Sequence, residues 1–270
     1  MKNIIILGSE KIYDEKYCPK NNKRFKDVKE TLKVLKDILN KLDIKVLRPS
    51  KDSPSELCRS LWVRDTSINI DNNIYLIPHM VNVSKKNRQP KEEVDTLPKE
   101  VIGFAKRLSE NIVLDGGDVI QENNKIFIGK GIRTDNSGYL WLKKEFPEKN
   151  IIQIEHSSLH LDNCFSVLPN NRVLYSRKHI KSLPTSVKNN YEVICVEDYI
   201  ESRALPELAG NILVFKKNLI CADLRKFKKL YKHLENLGYI MHYVPFFDLY
   251  KDNGGVRCLT TWYKVDNEIK

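Results

Sequence analysis

Cys258 carries the most nucleophilic side-chain type near the C-terminal end of the sequence, within the stretch NGGVRCLTTW at 253–262. A cysteine beside a β-prone stretch is often a buried packing residue, and it can instead be a nucleophile. A nucleophilic thiol needs a general acid and base to move protons, together with polar groups that hold the substrate. The role of Cys258 therefore depends on which polar side chains share its place in the fold.

Four other short segments supply such side chains. They contribute Arg64 and Asp65 in VRDTS, Asp115 and Asp118 in LDGGD, His160 and Asp162 in LHLDN, and Asn211 in ELAGN. Taken singly, each has a structural interpretation, because an aspartate can form an Asx turn and a histidine between leucines is often a hydrogen-bonded core residue. The neighbouring pairs Gly116–Gly117 and Gly254–Gly255 suit tight turns or a close approach of backbone to a ligand.

A cationic substrate would reconcile a thiol with carboxylates beside it. Nearby carboxylates raise the pKa of a thiol, which is only a few per cent ionised at neutral pH even when unperturbed. A guanidinium held between Asp65 and Asp115 would neutralise these acids and favour the thiolate of Cys258. The central carbon of the guanidinium is the electrophile. His160 would protonate the leaving nitrogen and later deprotonate water.

A repeated unit positions these segments. Four predicted β-hairpins have a turn containing asparagine, or asparagine with lysine or arginine, between two β-prone arms, at 67–78, 118–130, 164–176 and 211–222. We expect helices at 99–109, 137–146 and 224–237, and a short strand before each following hairpin, at 111–114, 150–154, 191–196 and 239–244. The unit of hairpin, helix and strand repeats about every 50 residues.

A fifth unit would begin at VRCLTTWY, and NIIIL at 3–7 could supply its missing strand and close a ring. Five such units predict an α/β fold, a five-bladed α/β propeller that forms one domain over residues 1–270. In a pseudo-symmetric ring, equivalent positions point at one axis, so the polar residues before each hairpin should share a central pocket. An open α/β sheet without symmetry is the alternative.

The motifs VRDTS, LDGGDVI, FIGKGIRTDNSG, HLDNCFSV and GGVRCLT, in this order, resemble the guanidino-group-modifying enzyme superfamily. Its members include arginine deiminases and dihydrolases, dimethylarginine dimethylaminohydrolases and amidinotransferases, and its fold is the five-bladed α/β propeller, or pentein fold. The resemblance implies that Cys258 is the nucleophile and His160 the general acid and base. It implies that Asp115 and Asp65 bind the guanidinium, with Asp162 as a second acid, through an S-alkylthiouronium intermediate. It implies no metal and no organic cofactor.

The motifs combine features of several members. The segment with Arg133 resembles the place where dimethylarginine hydrolases bind the substrate carboxylate, and RQPKEEVD, with Arg88, resembles a basic loop of that group. The pair Arg64–Asp65 and the triplet His160–Asp162 resemble deiminases, dihydrolases and amidinotransferases, which makes Arg64 a further candidate for substrate binding. We therefore expect hydrolysis of the guanidino group of free arginine or a derivative, and transfer of the amidino group to an amine remains the alternative.

The formal net charge of +11 invites a nucleic-acid interpretation, but the lysines are spread along the chain, as on the predicted helix at 25–42. No basic run with interleaved aromatic residues and no nucleic-acid motif is present. The sequence therefore favours a small-molecule guanidino substrate as the partner and disfavours nucleic acid. A catalytically inactive basic propeller, binding nucleic acid or protein in a salt-sensitive way, is the remote alternative.

The six cysteines contain no CxxC pair, which argues against a zinc site and a disulfide framework and favours reduced thiols in the cytoplasm. No apolar run is long enough to cross a membrane, and the N-terminal apolar run is too short for a signal peptide. We expect a cytoplasmic protein without membrane contact. The sequence leaves open whether the chain forms a homodimer.

Overall fold

Five three-stranded sheets form the framework of the protein. They are seen in a computed structural model that describes residues 2–8, 22–48, 61–71, 73–82, 87–90, 98, 101, 105–200, 206–246, 249 and 254–265. No helix among these residues combines the length and the apolar composition that crossing a bilayer requires. The α/β class predicted from the sequence is confirmed.

Four of the sheets follow one another along the chain with the same topology. They consist of β3 (Ser67–Ile70), β4 (Asn73–Leu76) and β7 (Lys106–Arg107); β8 (Val119–Glu122), β9 (Lys125–Lys130) and β10 (Asn150–Glu155); β11 (Phe165–Leu168), β12 (Arg172–Tyr175) and β13 (Glu192–Cys195); and β14 (Leu213–Phe215), β15 (Asn218–Ala222) and β16 (Ile240–Val244). In each, the first two strands form an antiparallel hairpin and the third runs parallel to the second. The four predicted hairpins are confirmed.

The fifth sheet joins the two ends of the chain. Strand β1 (Lys2–Leu7) lies between β17 (Thr260–Val265), to which it is antiparallel, and β2 (Lys45–Leu47), to which it is parallel. Ile5 stands opposite Trp262 in this register. The prediction that the N-terminal strand completes the last unit is confirmed, because this sheet repeats the topology of the other four.

Helices lie between the strands along the chain. They are α1 (Asn22–Lys41), α2 (Asn136–Glu145), α3 (Leu161–Cys164), α4 (Thr185–Asn190), α5 (Pro206–Ala209) and α6 (Lys228–Asn236). Helix α1 buries Val28, Leu32, Leu35 and Leu39, spaced three or four residues apart, against a core cluster that includes Ile5 and Leu7 of β1. The lysines of this helix from Lys26 onwards are exposed, away from the apolar stripe.

One expected unit was wrong in detail. The helix expected at 99–109 is wrong at residues 106–107, which form β7 (Lys106–Arg107) and pair with Tyr75 and Leu76. Residues 99, 100 and 102–104 lie outside the described residues. The expected strand at 111–114 is not paired, and a further hairpin, β5 (His79–Asn82) with β6 (Asn87–Pro90), precedes β7. A two-residue strand with both side chains exposed has no apolar alternation by which the sequence could reveal it.

The first strands of all five sheets line one cavity of about 450 Å³. Short helical turns lead directly into β3, β8, β11 and β17, and they lie beside one another: 63–66 contacts both 116–118 and 257–259, and α3 contacts 116–118 and α5. The segments that carry the candidate residues therefore gather at one end of these first strands.

Candidate active site

Asp65, Asp115 and His160 meet at this gathering point. Asp65 lies in the turn 63–66, Asp115 caps the turn 116–118, and His160 directly precedes α3. One side-chain atom from each of the three lies within 4.8 Å of the other two. The structure thus brings Asp65, Asp115 and His160 together as the sequence predicts, but none of these three lines the cavity between the first strands.

The imidazole of His160 lies between the two carboxylates. Its Nδ1 is 3.7 Å from Asp65 Oδ1, and its Nε2 is 3.5 Å from Asp115 Oδ2. Burial alone would lower the pKa of His160, but the negative charges of Asp65, Asp115 and Asp118 outweigh burial and raise the pKa to about 10. His160 is therefore protonated at neutral pH and can donate a proton.

Backbone and side-chain contacts fix the position of Asp115. Its Oδ1 accepts a hydrogen bond of 3.0 Å from Gly116 N, and its own N–H donates to Thr134 Oγ1 at 3.1 Å. Gly117 allows His160 to approach, because a Cβ at that position would lie 2.6 Å from His160 Cγ. The sequence predicts a tight turn or a close approach of backbone to a ligand at Gly116–Gly117, and these residues form a short helical turn that packs against His160.

Asp118 fixes the backbone next to His160. Its Oδ1 accepts a hydrogen bond of 2.7 Å from Leu161 N, and its Oδ2 accepts one of 2.6 Å from Thr134 Oγ1. His156 Nε2, buried, is 3.1 Å from Asp118 Oδ1. Sequence reasoning missed His156, although the glycines of FIGKG were a signal: a Cβ at Gly129 or at Gly131 would lie 2.5 Å from its ring.

Two asparagines hold the thiol of Cys258, which is 4% exposed. Asn211 Nδ2 donates to Cys258 Sγ at 3.2 Å, and the thiol donates to Asn163 Oδ1 at 3.5 Å. Asn211 also donates to Asn163 Oδ1 at 2.9 Å and accepts a hydrogen bond of 2.7 Å from Arg257 N. Asn211 is among the candidate polar side chains of the sequence analysis, which gave Asn163 no role.

The free protein holds Cys258 as a thiol. Burial raises its pKa well above the ordinary value, and the negative charges of Asp162 and Asp65 raise it further. Hydrogen bonds from Gly255 and Asn211 oppose these effects without reversing them. A nucleophilic thiolate therefore requires a change in the electrostatics of the pocket, such as the arrival of a cation.

Asp162 lies between two arginines. Its Oδ2 is 3.4 Å from Arg64 Nε and 3.7 Å from Arg257 Nε, and Arg64 Nη2 donates to Val119 O at 2.5 Å. Burial raises the pKa of Asp162, while both arginines pull it down. The structure thus gives Arg64 and Asp162 protein partners, and their direct contact with a substrate stays a prediction. Arg257, which sequence reasoning did not select, joins this group.

The two other predicted arginines differ in how the structure describes them. Arg133 lies in the site, with Nη1 3.7 Å from Asp115 Oδ2 and 13% of its side chain exposed. Arg88 lies in β6, and its side chain falls outside the described atoms. The cluster of two carboxylates and an imidazole suits a bound cation, organic or metallic, so the expectation of a metal-free site stays a prediction.

Replacement of Asn211 tests the thiol environment. In Asn211→Ala the thiol loses an amide donor, so the pKa of Cys258 should rise and its alkylation by iodoacetamide at neutral pH should slow about tenfold. The rate is measured on the Cys258 peptide by mass spectrometry. Asn218→Ala, which removes an amide bonded to Phe215 O in the same sheet, should leave the rate unchanged. An equal rate in both variants would contradict the assignment.

Replacement of Asp65 tests the histidine environment. In Asp65→Asn the imidazole loses a negative neighbour, so the pKa of His160 should fall from about 10 towards its ordinary value. Histidine resonances followed by NMR across the alkaline range report this pKa. Asp198→Asn, at a surface pair with Arg177, is the matched control and should leave the titration of His160 unchanged. A shift in the control alone would exclude Asp65 as the cause.

Comparisons with known proteins place this geometry in context. No protein-family model matches the chain. The uncharacterized protein YkgA of Bacillus subtilis is 26% identical over 220 residues, which span 80% of this chain and 72% of YkgA. The solved structure of SxtG, an amidinotransferase of the saxitoxin biosynthetic pathway of Microseira wollei, superposes with a TM-score of 0.75 at 16% identity, over 99% of this chain and 95% of SxtG.

Two hydrolases have the same architecture. Dimethylarginine dimethylaminohydrolase from Pseudomonas aeruginosa, in complex with citrulline, superposes with a TM-score of 0.67 at 15% identity, over 97% of this chain and 100% of the enzyme. The N-terminal domain of ArgZ, a cyanobacterial arginine dihydrolase with bound product, gives 0.70 at 15% identity, with 98% of both chains covered. This chain therefore shares the α/β fold of these three enzyme structures.

Proposed function

We propose that this protein hydrolyses the guanidino group of free arginine or an arginine derivative, with Cys258 as the nucleophile. The observation that carries the proposal is the meeting of Asp65, Asp115 and His160 at one point, beside a buried thiol whose pKa is raised. Carboxylates in this arrangement select a cationic substrate. The shared fold with amidinotransferase, dimethylarginine hydrolase and arginine dihydrolase structures supports the same class of reaction.

Substrate charge would switch the site on. A guanidinium between Asp65 and Asp115 adds a positive charge next to the thiol and offsets the negative field that keeps it protonated. The pKa of Cys258 falls, and the thiol releases its proton to solvent. The same cation also lowers the pKa of His160, which makes the imidazolium a better proton donor.

The reaction then proceeds in two stages. Sγ of Cys258 bonds to the central guanidinium carbon, and His160 delivers its proton to the nitrogen that leaves as an amine or ammonia. The product of this stage is an S-alkylthiouronium on Cys258. A water molecule next gives a proton to the neutral His160 and adds to the same carbon. The carbon–sulfur bond then breaks, the departing thiolate takes up the remaining hydroxyl proton, and the ureido product is released.

We also propose that the five sheets are the blades of a five-bladed propeller within one domain spanning 1–270. The shared topology of the sheets supports this arrangement, as does the pairing of the first strand with the last. Lining of one cavity by the first strand of every sheet supports it further. In such a ring the segments before each hairpin face one axis, which accounts for the convergence of the site.

Amidino transfer is the second candidate. The first stage is identical, and an amine takes the place of water in the second stage. The similarity to SxtG over nearly the full length of both chains supports this second candidate. Analysis of the products identifies whether water or an amine is the acceptor.

The direct test incubates the protein separately with L-arginine and with asymmetric dimethylarginine. Citrulline is expected, with ammonia from arginine or dimethylamine from the methylated substrate, both quantified by mass spectrometry. Ornithine with a second equivalent of ammonia would indicate dihydrolysis. Cys258→Ser and His160→Ala should each lower turnover at least a thousandfold while circular dichroism stays unchanged, because removal of a nucleophile or its acid–base partner has effects of about this size.

Cys195→Ser is the matched control, since Cys195 is a buried cysteine that bonds to Glu197 and lies in β13. It should retain turnover. With glycine added as an amine acceptor, formation of guanidinoacetate would favour amidino transfer over hydrolysis. Absence of any product from arginine, dimethylarginine and glycine would overturn both candidates and favour a protein that only binds its partners.

Arg133 is proposed to bind the substrate carboxylate. Arg133→Met should raise KM for arginine about tenfold or more, because a charge-assisted hydrogen bond is lost. Arg133 also lies 3.7 Å from Asp115, so its loss could disturb guanidinium binding as well. Agmatine, which is arginine without its carboxylate, separates the two effects, because its KM should not rise if Arg133 binds only the carboxylate. An equal increase for both substrates would show that Arg133 acts through Asp115 instead.

A further inference from the structure

The cavity lined by the five first strands is distinct from the thiol site. None of Asp65, Asp115, His160 and Cys258 lines it. One end is formed by Arg64 and Arg257, and the other end is formed by hairpin-turn residues such as Asn123, Pro169 and Lys216. The four thiol-site residues precede the first strands, whereas the cavity extends from Arg64 and Arg257 along these strands towards the hairpin turns.

The arginine end carries unbalanced positive charge. Arg64 and Arg257 share one carboxylate, that of Asp162, at 3.4 and 3.7 Å. Within the described part of the chain, the guanidinium of Arg257 donates no hydrogen bond. Burial, followed by the repulsion of Arg64, lowers the pKa of Arg257 to about 10. A second anion would relieve this repulsion and accept the free N–H groups.

The walls of the cavity are more apolar than the arginine end, and its hairpin-turn end carries carboxylates. The walls include Ile68, Val167 and Leu213, and the rings of Phe215 and Trp262 stack beside them at a centroid distance of 5.7 Å. At the hairpin-turn end the two carboxylates have protein partners: Asp71 pairs with Lys149, and Glu122 accepts a hydrogen bond from Tyr191. A ligand that fits these features has one anionic group and an apolar body.

We propose that this cavity binds a small organic carboxylate, whose carboxylate lies on Arg64 and Arg257 and whose apolar body lies along the first strands. The volume of about 450 Å³ is within the usual range for small-molecule sites, which are largely apolar with a few polar anchors. The proposal uses none of Asp65, Asp115, His160 and Cys258, and it assigns Arg64 to the ligand of this cavity instead of to the guanidino substrate.

A matched ligand series tests the charge requirement. Hexanoate, hexan-1-ol and hexylamine have equal chain lengths and differ in charge, and each is titrated by calorimetry up to about 10 mM, the range of weak binding. Saturable binding of hexanoate at least tenfold tighter than that of the other two is expected. Equal binding of hexylamine, or no saturable binding of hexanoate, would overturn the proposal.

Variants test the location. Arg257→Gln removes the charge and should weaken hexanoate binding at least tenfold relative to Arg257→Lys, with circular dichroism as the check on folding. Arg133→Met removes the arginine of the thiol site and should bind hexanoate as the natural protein does. A loss of binding in Arg133→Met would assign the carboxylate to the thiol site and overturn the proposal.

Tryptophan fluorescence provides a second location test that does not change the arginines. Hexanoate should alter the emission of the natural protein and of Trp141→Phe, whereas Trp262→Phe should lose the response, since only Trp262 of this pair lines the cavity. A response that survives in Trp262→Phe and disappears in Trp141→Phe would overturn the proposed location.

Discussion

Compensation of buried negative charge is the constraint on which the centre of this protein depends. Asp115, Asp118 and Asp162 are fully buried, and an isolated ionised carboxylate in a protein interior is too costly to persist without partners. The protein supplies these partners from its own and neighbouring units: Asp118 accepts hydrogen bonds from Thr134, which follows β9 of the same sheet, and from Leu161, and Asp162 lies beside two arginines. His160 is the cation for Asp65 and Asp115, and these two carboxylates raise the pKa of His160 although the imidazole is buried.

The repeated sheet topology provides this compensation geometrically. Each first strand is preceded by a short turn, and the turns of neighbouring sheets pack on one another, so polar residues distant in sequence become neighbours. Asn211 illustrates the result, because its single side chain contacts the segments of Asp162, Asn163 and Cys258. A point substitution here would disturb several sheets at once, and additivity of mutational effects should fail among these positions.

The hairpins, the pairing of the chain ends and the convergence of Asp65, Asp115 and His160 could be predicted from the sequence, because alternating β-prone arms and turn residues at a constant spacing fix local structure and phase. The two-residue strand β7 could not, since its exposed basic residues have no apolar period. The partners of Asp162 could not either. Side-chain pairing across sheets depends on three-dimensional packing, which leaves no spacing rule in the sequence for Arg257 to satisfy.

The electrostatics also decide which activation of the thiol is feasible. A protonated histidine beside a cysteine would ordinarily favour the thiolate. Here the positive charge of His160 is matched by carboxylates on both ring nitrogens, so it leaves the pKa of Cys258 raised. An uncharged substrate would leave the charges around Cys258 unchanged, and the thiol would stay protonated and unreactive. In the proposed reaction a guanidinium alters this balance with its own charge, and specificity for a cation would then follow from the requirement to ionise Cys258 as well as from binding.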